Sequence, residues 1–584
     1  MRTMGWLPAA IVLLALPSSA EPVRTLRTDT ATFEISAEGS LTITRTTPAV
    51  RTLTAGFQPS PLLQLRFGNR WLQPVAAVPA EAPDQVRLRF PDPGAEAVVR
   101  CQAKGSHVVF ELVNVTPADS VEIALWGPYP LAIAETIGEI VGVVRDRQDA
   151  VGIQALNAKT LGGFPAQEND IDTEFGADDT GYYPHLPPEL SKGQGFRGDT
   201  ACATPFGSVL QAYVRNRNRE RVIPNWGHER YVVPPYQDGG VAGSRIALFV
   251  SAEPSALEAI GLIEQAEGLP HPMIDGVWAK VSPGATASYL IVDFSEATVD
   301  RAIEMTRRAG LRHLYHSSPF ETWGHFRLKP DLFPAGWDGF RACVDKARRA
   351  GVILGIHTLS NFITPNDPYV SPVPDPRLAV VGASTLDADL DAAATLIAVA
   401  DPTWFSRKSA MNTVRIGDEL VRYAGVSTNG PWRLLGCQRG AWGTRAASHR
   451  AGARVARLLD HEYQVFLSDA ALSIAIARRI AGFFNRTGSG QLSFDGLEGN
   501  WSTGYGQYGR TLFTQAWHDA LEPGLRGTVI NDASNPGHFN WHINTRMNWG
   551  EPWYAGFRES QTLYRFKNQR SEEHTSELQS LTNL

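Results

Sequence analysis

From about residue 285 onward, short apolar strands alternate with amphipathic helices, and this alternation restricts the fold more than any other feature of the chain. Glycines at 310 and 351 follow two of the helices and suit their C-terminal caps. Strands that alternate with helices build parallel sheets of β–α units. Strands are predicted at 288–292, 311–315, 352–356, 491–494 and 527–530, and helices at 296–309, 337–350, 468–484, 508–520 and 556–568.

The preceding part, 21 to about 270, has a different pattern. Short segments alternate apolar and polar residues, which is typical of half-buried strands. They lie at 31–36, 41–45, 62–67, 85–90, 97–102, 107–113 and 121–125. Residues 155–245 are rich in Gly, Pro, Asn and Asp, so long loops and edge strands are expected there, and 255–265 is a predicted helix. We therefore expect a large antiparallel β-sandwich over 21–270.

A long segment, 375–460, interrupts the β–α pattern after the third predicted strand. Its second half is β-like, with Gly417-Asp418 and Asn429-Gly430 as turn signals. We interpret it as an inserted small β module. Insertion at the carboxyl end of a strand would place the module over the face where barrels of this kind keep their active sites.

The number of β–α units separates two parallel folds. Residues 285–569 without the insert number about 200, whereas an eight-unit barrel needs roughly 250. Five units are visible, which fits a five-stranded open sheet or a barrel that ends early. Residues 570–584 resemble a translated sequencing-library adapter and are expected to be artefactual, with a genuine disordered tail as the alternative. The predicted fold is thus an N-terminal antiparallel β-sandwich followed by a (β/α) TIM-type barrel, 285–569, truncated after about five units.

The first twenty residues have the character of a secretory signal. Arg2 is followed by an apolar run at 6–16 and by small residues at 18–20. A buried N-terminal helix is the alternative. No other run approaches the ~20 apolar residues of a membrane span. We expect a secreted or periplasmic protein.

Charge and cysteine content limit partners and cross-links. A net charge of −6 offers no electrostatic footprint for nucleic acid. Export permits disulfides, and Cys101 and Cys202 fall in one predicted domain, so they are the first candidates for a pair. Four buried free thiols are an equal alternative. No cofactor and no metal are predicted.

Polar residues at the carboxyl ends of the predicted strands are the primary candidates for chemistry, because barrel enzymes place their sites there. Asp495 is the leading residue, since a carboxylate at that place can attack the anomeric carbon of a sugar. Cleavage of a glycosidic bond usually needs a second carboxylate. Glu498, Asp532 and Glu551 are the candidates for it, and capping or helix-dipole roles are their structural alternatives.

Histidine, amide and aromatic side chains surround these strand ends, which suits a carbohydrate cleft. Core packing of long loops is the alternative for each aromatic residue. The predicted substrate-binding residues are His316, Trp323, His325, His357, Asn361, Trp501, His538, Trp541, His542, Glu551 and Trp553.

Residues 331–336, Asp-Leu-Phe-Pro-Ala-Gly, and 351–357, Gly-Val-Ile-Leu-Gly-Ile-His, carry a family resemblance. This passage is similar to the one that leads into the third barrel strand of α-galactosidase-type and related retaining glycoside hydrolases. The resemblance implies a β-sandwich before a barrel, and a nucleophilic Asp at the end of the fourth strand, where Asp495 stands. It implies an acid/base Asp after the sixth strand, which on a count of five strands lies beyond this sequence. The chain departs from the family at His316, at His357 and in the insert.

Other functions stay open at this point. His316, His357, Asp495, Asp532 and His538 are residue types that bind divalent metals, although no HxH or HExxH spacing is present. A polysaccharide lyase could use Arg327, Lys329, Arg546 and the histidines. A noncatalytic carbohydrate-binding protein is the third alternative. The main hypothesis is an exported glycoside hydrolase acting on an oligo- or polysaccharide, with the sugar, linkage and oligomeric state open.

Overall fold

The computed structural model describes residues 21–547, apart from 57, 93, 166, 172–199, 286 and 534–536. The predicted signal segment, the predicted helix at 556–568, Glu551, Trp553 and the tail at 570–584 lie outside the described residues. No helix in the described ranges is long and apolar enough to cross a membrane.

The first part of the chain is rich in antiparallel strands that pack as a sandwich. An eight-stranded sheet, in the order β12-β13-β14-β20-β10-β9-β8-β7, faces a six-stranded one in which β15-β17-β11-β5-β6 are neighbours and β16 pairs with β17. A four-stranded sheet, β1-β2-β3-β4, shares their core, and β18 and β19 form a separate hairpin. The strands are β1 (Arg24–Arg27), β2 (Ala31–Ile35), β3 (Leu41–Arg45), β4 (Arg51–Thr52), β5 (Leu63–Phe67), β6 (Arg70–Leu72), β7 (Ala76–Pro79), β8 (Gln85–Arg89), β9 (Glu96–Ala103), β10 (Val108–Thr116), β11 (Ile123–Leu131), β12 (Thr136–Gly138), β13 (Val143–Arg145), β14 (Asp149–Ala155), β15 (Leu161–Gly162), β16 (Ala201–Thr204), β17 (Gly207–Arg215), β18 (Arg221–Asn225), β19 (His228–Val233) and β20 (Arg245–Ala252).

Two expectations for this part need correction. Strand β17 lies inside the six-stranded sheet, between β15 and β11, although loops and edge strands were predicted there. Its Leu210 and Val214 are fully buried, and burial on the sheet outweighs the Gly- and Asn-rich surroundings. The four cysteines are free thiols, so Cys101 and Cys202 are not paired. Burial raises the pKa of the Cys101 thiol to about 12.

The remaining elements follow in chain order. They are α1 (Ala256–Glu267), β21 (Met273–Ile274), β22 (Val277–Trp278), β23 (Tyr289–Ile291), α2 (Val299–Arg308), β24 (His313–His316), α3 (Gly336–Arg349), β25 (Ile353–Leu359), β26 (Phe362–Ile363), β27 (Val380–Thr385), β28 (Ile397–Ala398), β29 (Thr413–Ile416), β30 (Glu419–Arg422), β31 (Gly425–Val426), β32 (Arg433–Leu435), β33 (Arg454–Leu458), β34 (Asp460–His461), β35 (Val465–Leu467), α4 (Ala470–Thr487), β36 (Gln491–Asp495), α5 (Gln507–Ala520), β37 (Ile530–Ala533), α6 (Asn540–Ile543) and β38 (Arg546–Met547). Strands β27 to β33 lie within the segment predicted as an insert, and 386–455 contribute a separate apolar cluster.

A six-stranded parallel sheet organises the second part of the chain. Its order is β23-β24-β25-β36-β37-β38, and each neighbouring pair is parallel. The predicted parallel pairing of the first five strands is confirmed. The count of five is wrong, because β38 adds a sixth strand. Its two residues are too short to give a periodic signal in the sequence.

One face of this sheet packs against helices. Leu314, Ile356, Leu492 and Phe494 alternate on that face and join the main core. Helices α2, α3, α4 and α5 cover them with Val299, Ile303, Phe340, Val344, Ile476, Ile480, Phe513 and Trp517. The other face of the sheet is therefore the one left for polar residues.

Candidate active site

The face opposite the helices carries polar and aromatic side chains. The register of the parallel pairs places them on one side, since side chains alternate along a strand. We call this the polar face. It is formed by Tyr289, His313, Tyr315, His357, Gln491, Ser493, Asp495, Asp532 and Arg546.

Asp495 ends β36, one of the two middle strands, at the carboxyl edge of the polar face. Its side chain is 31% exposed, and its Oδ2 lies 3.8 Å from Nε2 of His357, whose side chain is 27% exposed. The backbone N–H of Gly496 donates to Oδ1 of Asp495 at 2.8 Å. The structure thus brings two of the predicted residues, Asp495 and His357, together at an accessible position.

A row of rings leads across the polar face to His357. Tyr289 and Tyr315 are 5.1 Å apart between ring centroids, and Tyr315 and His357 are nearly parallel at 6.5 Å. Burial raises the pKa of Tyr315, so its hydroxyl stays protonated at neutral pH. The two tyrosines were not among the predicted site residues. Alternation from His357 through the strand register is the signal that would have identified them.

Asp532 lies on the polar face but is buried in an ion pair. Nε of Arg546 donates to its Oδ2 at 3.1 Å, and both side chains are almost wholly buried. Arg546 also donates to the carbonyl of Ala287 at 3.0 Å and lies 4.6 Å from the centre of the Tyr289 ring. This pair holds β37 and β38 against the start of β23.

His316 does not share the face of Asp495. It alternates with Tyr315 and points to the helix side, where its ring contacts Phe294 and Phe333 at 5.0 and 5.9 Å. Its Nδ1 lies 3.2 Å from Oδ1 of Asp293, and burial lowers the pKa of His316. The expectation that His316 converges with His357, Asp495 and Asp532 is wrong, because one residue of alternation reverses a strand side chain.

The loop after Asp495 carries two further candidates, Glu498 and Trp501, and is contacted by a third, Asn361, which follows β25. Glu498 and Trp501 are half-buried members of a 3₁₀ turn, Leu497–Thr503. Asn361 is fully buried, donates through Nδ2 to the carbonyl of Gly499 at 3.0 Å, and accepts from Ser468 at 2.8 Å. Asn361 therefore fixes this loop.

Trp323 and His325 belong to the loop after β24. Trp323 is half-buried and packs against two apolar clusters. Nδ1 of His325 lies 2.7 Å from Oδ1 of Asp367, and its ring lies 4.0 Å from that of Tyr369. The carbonyl of His325 accepts from Arg479 of α4 at 2.8 Å. These contacts anchor the loop.

His538, Trp541 and His542 are fully buried away from solvent. Nδ1 of His538 donates to the carbonyl of Ile140, and its Nε2 accepts from the N–H of Ala155. Nδ1 of His542 lies 2.7 Å from Glu264 of α1. The three residues join the parallel sheet to the sandwich and α1, so a substrate would reach them only if these contacts opened. Polarity near a strand end cannot reveal such long-range contacts.

Acid is expected to destabilise the protein through buried histidines such as His538. Burial lowers its pKa to about 4, from 6.5 in the unfolded chain. The unfolded state therefore binds the proton first, and the free energy of unfolding falls as pH drops from about 6.5 to about 4, by up to about 1.4 kcal/mol per pH unit per histidine. Urea unfolding of the wild type and of His538→Gln at pH 7 and pH 5 measures this. The variant should be less stable at pH 7 and should show a shallower pH dependence; an equal slope would contradict the prediction.

Gly496 is required beside Asp495. Its φ is +73°, and a Cβ there would lie 2.9 Å from the Phe362 ring. Gly496→Ala is therefore expected to lower the free energy of unfolding by about 1–3 kcal/mol. Gly482 is the control, since it lies within α4 and a Cβ there would have no atom of a neighbouring side chain within 4 Å, and Gly482→Ala should stabilise by about 0.5–1 kcal/mol. Thermal unfolding of both variants tests the contrast, and equal effects would refute it.

The residues considered as metal ligands do not converge. In the described ranges, no group of three or more His, Cys, Asp or Glu is placed to hold a metal ion. His316 lies on the helix side and His538 against the sandwich. Of the five, Asp495 and His357 are the pair within 4 Å.

No protein-family model and no curated protein matches the chain. Similar solved structures include an α-N-acetylgalactosaminidase from Bifidobacterium bifidum (TM-score 0.43, 10% identity, 90% of this chain and 78% of that one). Others are an α-galactosidase from Lactobacillus brevis (0.41, 8%, 94% and 75%) and a GH31 family sulfoquinovosidase from E. rectale (0.40, 8%, 90% and 68%). All three names are those of glycosidases. Because the TM-scores lie below 0.5, the inference about the activity of this chain is based on its own residues.

Proposed function

We propose that the protein is a glycoside hydrolase in which Asp495 is the nucleophile. The observation that carries this proposal is a half-exposed carboxylate at the carboxyl end of a middle strand, on the polar face and beside His357. Asp495 would form a bond to the anomeric carbon while the glycosidic C–O bond breaks. The leaving oxygen takes a proton from a second carboxylic acid, and water then releases the sugar from Asp495.

The second carboxylate is better sought at Glu498 or Glu551 than at Asp532. The carboxylate of Asp532 is buried and held 3.1 Å from the guanidinium of Arg546, so it is poorly placed to reach a leaving oxygen. Glu498 is half-buried in the turn that follows Asp495. Glu551 follows β38, the sixth strand, in the sequence, and the resembled family has an acid/base Asp, not Glu, after its sixth strand.

We further propose that the parallel sheet belongs to a (β/α) barrel and that the protein is exported. Contact between Arg546 of the sixth strand and Tyr289 of the first supports a strongly curved sheet whose polar face is the concave one. The signal-like character of the first twenty residues supports export. The substrate on this proposal is a carbohydrate.

Product analysis tests the hydrolase against its alternatives. A panel of oligosaccharides and aryl glycosides should yield new reducing ends, no ultraviolet absorbance of an unsaturated sugar, and no loss of rate with chelator. An absorbing product would indicate a lyase, although Arg546 is already paired with Asp532 and is poorly placed to neutralise a substrate carboxylate. Chelator sensitivity would indicate a metalloenzyme, and binding without turnover a noncatalytic protein. Each of these three results would overturn the proposal.

A further inference from the structure

Two hairpins from distant parts of the chain meet beside the loop that follows Asp495. The first joins β18 to β19 in the N-terminal part, and its two-residue turn is Trp226-Gly227. The second joins β34 to β35 through a three-residue loop that contains Tyr463 and Gln464. Both hairpins present aromatic side chains at their tips.

Trp226 has a backbone conformation that its side chain does not favour. Its φ is +52° and that of Gly227 is +70°, as expected for a type I′ turn, in which Asn-Gly is the preferred pair. A bulky residue with positive φ is a true outlier, and such strain concentrates at functional sites. A tryptophan at this place therefore calls for a role beyond making the turn.

The second hairpin repeats the anomaly. Gln464 has φ +56° at the position of a three-residue loop where glycine is usual. The preceding residue, Tyr463, is 53% exposed, and its ring lies 4.4 Å from that of His461. Burial lowers the pKa of His461, so its imidazole is neutral at pH 7.

The two hairpins and the loop after Asp495 together form one aromatic wall, defined by Trp226, His461, Tyr463 and Trp501. Trp226 lies 6.0 Å from His461 and 6.4 Å from Trp501 between ring centroids. Three of the four rings are half-buried and Tyr463 is exposed. The wall is longer than a single sugar ring and keeps part of each aromatic surface open to solvent.

Contacts connect the aromatic wall to Asp495. The ring of Phe362 lies 5.1 Å from that of His461. It also packs so close to Gly496, the residue after Asp495, that a Cβ there would lie 2.9 Å from the ring. Asn225 donates to the carbonyl of Trp501 at 2.9 Å, and the hydroxyl of Tyr231 donates to the carbonyl of Ser502. The N-terminal hairpin is thus hydrogen-bonded to the loop that Asp495 begins.

We infer that the aromatic wall binds the part of an oligosaccharide or polysaccharide chain beyond the sugar that Asp495 attacks. The flat faces of Trp and Tyr can stack on the apolar faces of successive sugar rings, and the solvent-exposed edge of the wall leaves the sugar hydroxyls hydrated. This inference rests on the proposed function, which places the cleaved bond at Asp495. It adds that the substrate class is a chain of several sugars rather than a disaccharide.

The test separates ring loss from loss of fold. Trp226→Asn creates the preferred Asn-Gly turn, which offsets the packing that the half-buried Trp226 ring loses against its apolar neighbours, so its melting temperature should stay within a few degrees of the wild type. It should weaken binding of hexasaccharides about tenfold while leaving monosaccharide binding unchanged. Binding is measured by calorimetry with α-1,6-galactosides, α-1,4-glucosides and β-1,4-mannosides of one to six units. Gln464→Gly is the matched control, because it relieves the same backbone strain and keeps every ring.

The expected result is weaker binding of long chains in Trp226→Asn and in Tyr463→Ala, with wild-type binding in Gln464→Gly. Equal hexasaccharide affinity in Trp226→Asn and wild type would overturn the inference. The inference would also be overturned if the affinity of the wild type did not rise with chain length, or if the wild type bound none of the three oligosaccharide series. Because binding needs no turnover, chain-length-dependent binding without catalysis would contradict the proposed hydrolase and leave the aromatic wall in place.

Discussion

Asp495→Asn is expected to lower kcat/KM on glycosides by several powers of ten while the protein stays folded. The substitution keeps the size of the side chain but removes the charge that forms the bond to the anomeric carbon. Loss of one member of a catalytic unit typically has this scale. The side chain is half-exposed and 3.8 Å from His357, so the melting temperature should change by no more than a few degrees, because exposed ion pairs contribute little.

Asp293→Asn is the matched control for Asp495→Asn. Asp293 also follows a strand of the parallel sheet and also contacts a histidine, His316, at 3.2 Å. The Asp293 side chain is 67% exposed and accepts a hydrogen bond from Ser317 at 2.6 Å. Unlike His357, its histidine neighbour His316 faces the helices and not the polar face. This control should keep kcat/KM within a few-fold of the wild type. Near-normal cleavage by Asp495→Asn, or equal losses in the two variants, would remove Asp495 as the nucleophile.

Periodicity was sufficient to predict the parallel sheet and the position of Asp495. The five predicted strands are paired in sequence order because βα units add neighbours one at a time. Asp495 is accessible because its strand ends there and Gly496 turns the chain. Both conclusions depend on local pattern alone.

Side-chain direction and distant contacts could not be predicted in the same way. His316 and His357 both close short predicted strands, yet the first faces helices and the second faces Asp495. The aromatic wall joins Trp226 to Trp501, 275 positions further along the chain. The one local signal was a glycine after Trp226, which marks a turn but does not show what the turn contacts.

Asp532→Asn is expected to destabilise the protein rather than to abolish its chemistry. Asp532 and Arg546 are both buried and joined at 3.1 Å. Removing the carboxylate leaves the guanidinium of Arg546 buried without its counter-ion, and breaking such a pair typically costs about 3–5 kcal/mol.

The double variant Asp532→Asn/Arg546→Met separates this loss from a catalytic role, because it removes both charges and keeps an apolar side chain near Tyr289. Removing both partners costs much less than leaving one unpaired, so urea unfolding should show the double variant to be more stable than Asp532→Asn. At a temperature where both remain folded, kcat should stay within about tenfold of the wild type, a range far smaller than the loss of a catalytic carboxylate causes. A loss of several powers of ten in kcat with an unchanged unfolding midpoint would instead make Asp532 a member of the catalytic pair, and the buried ion pair would then be part of the mechanism.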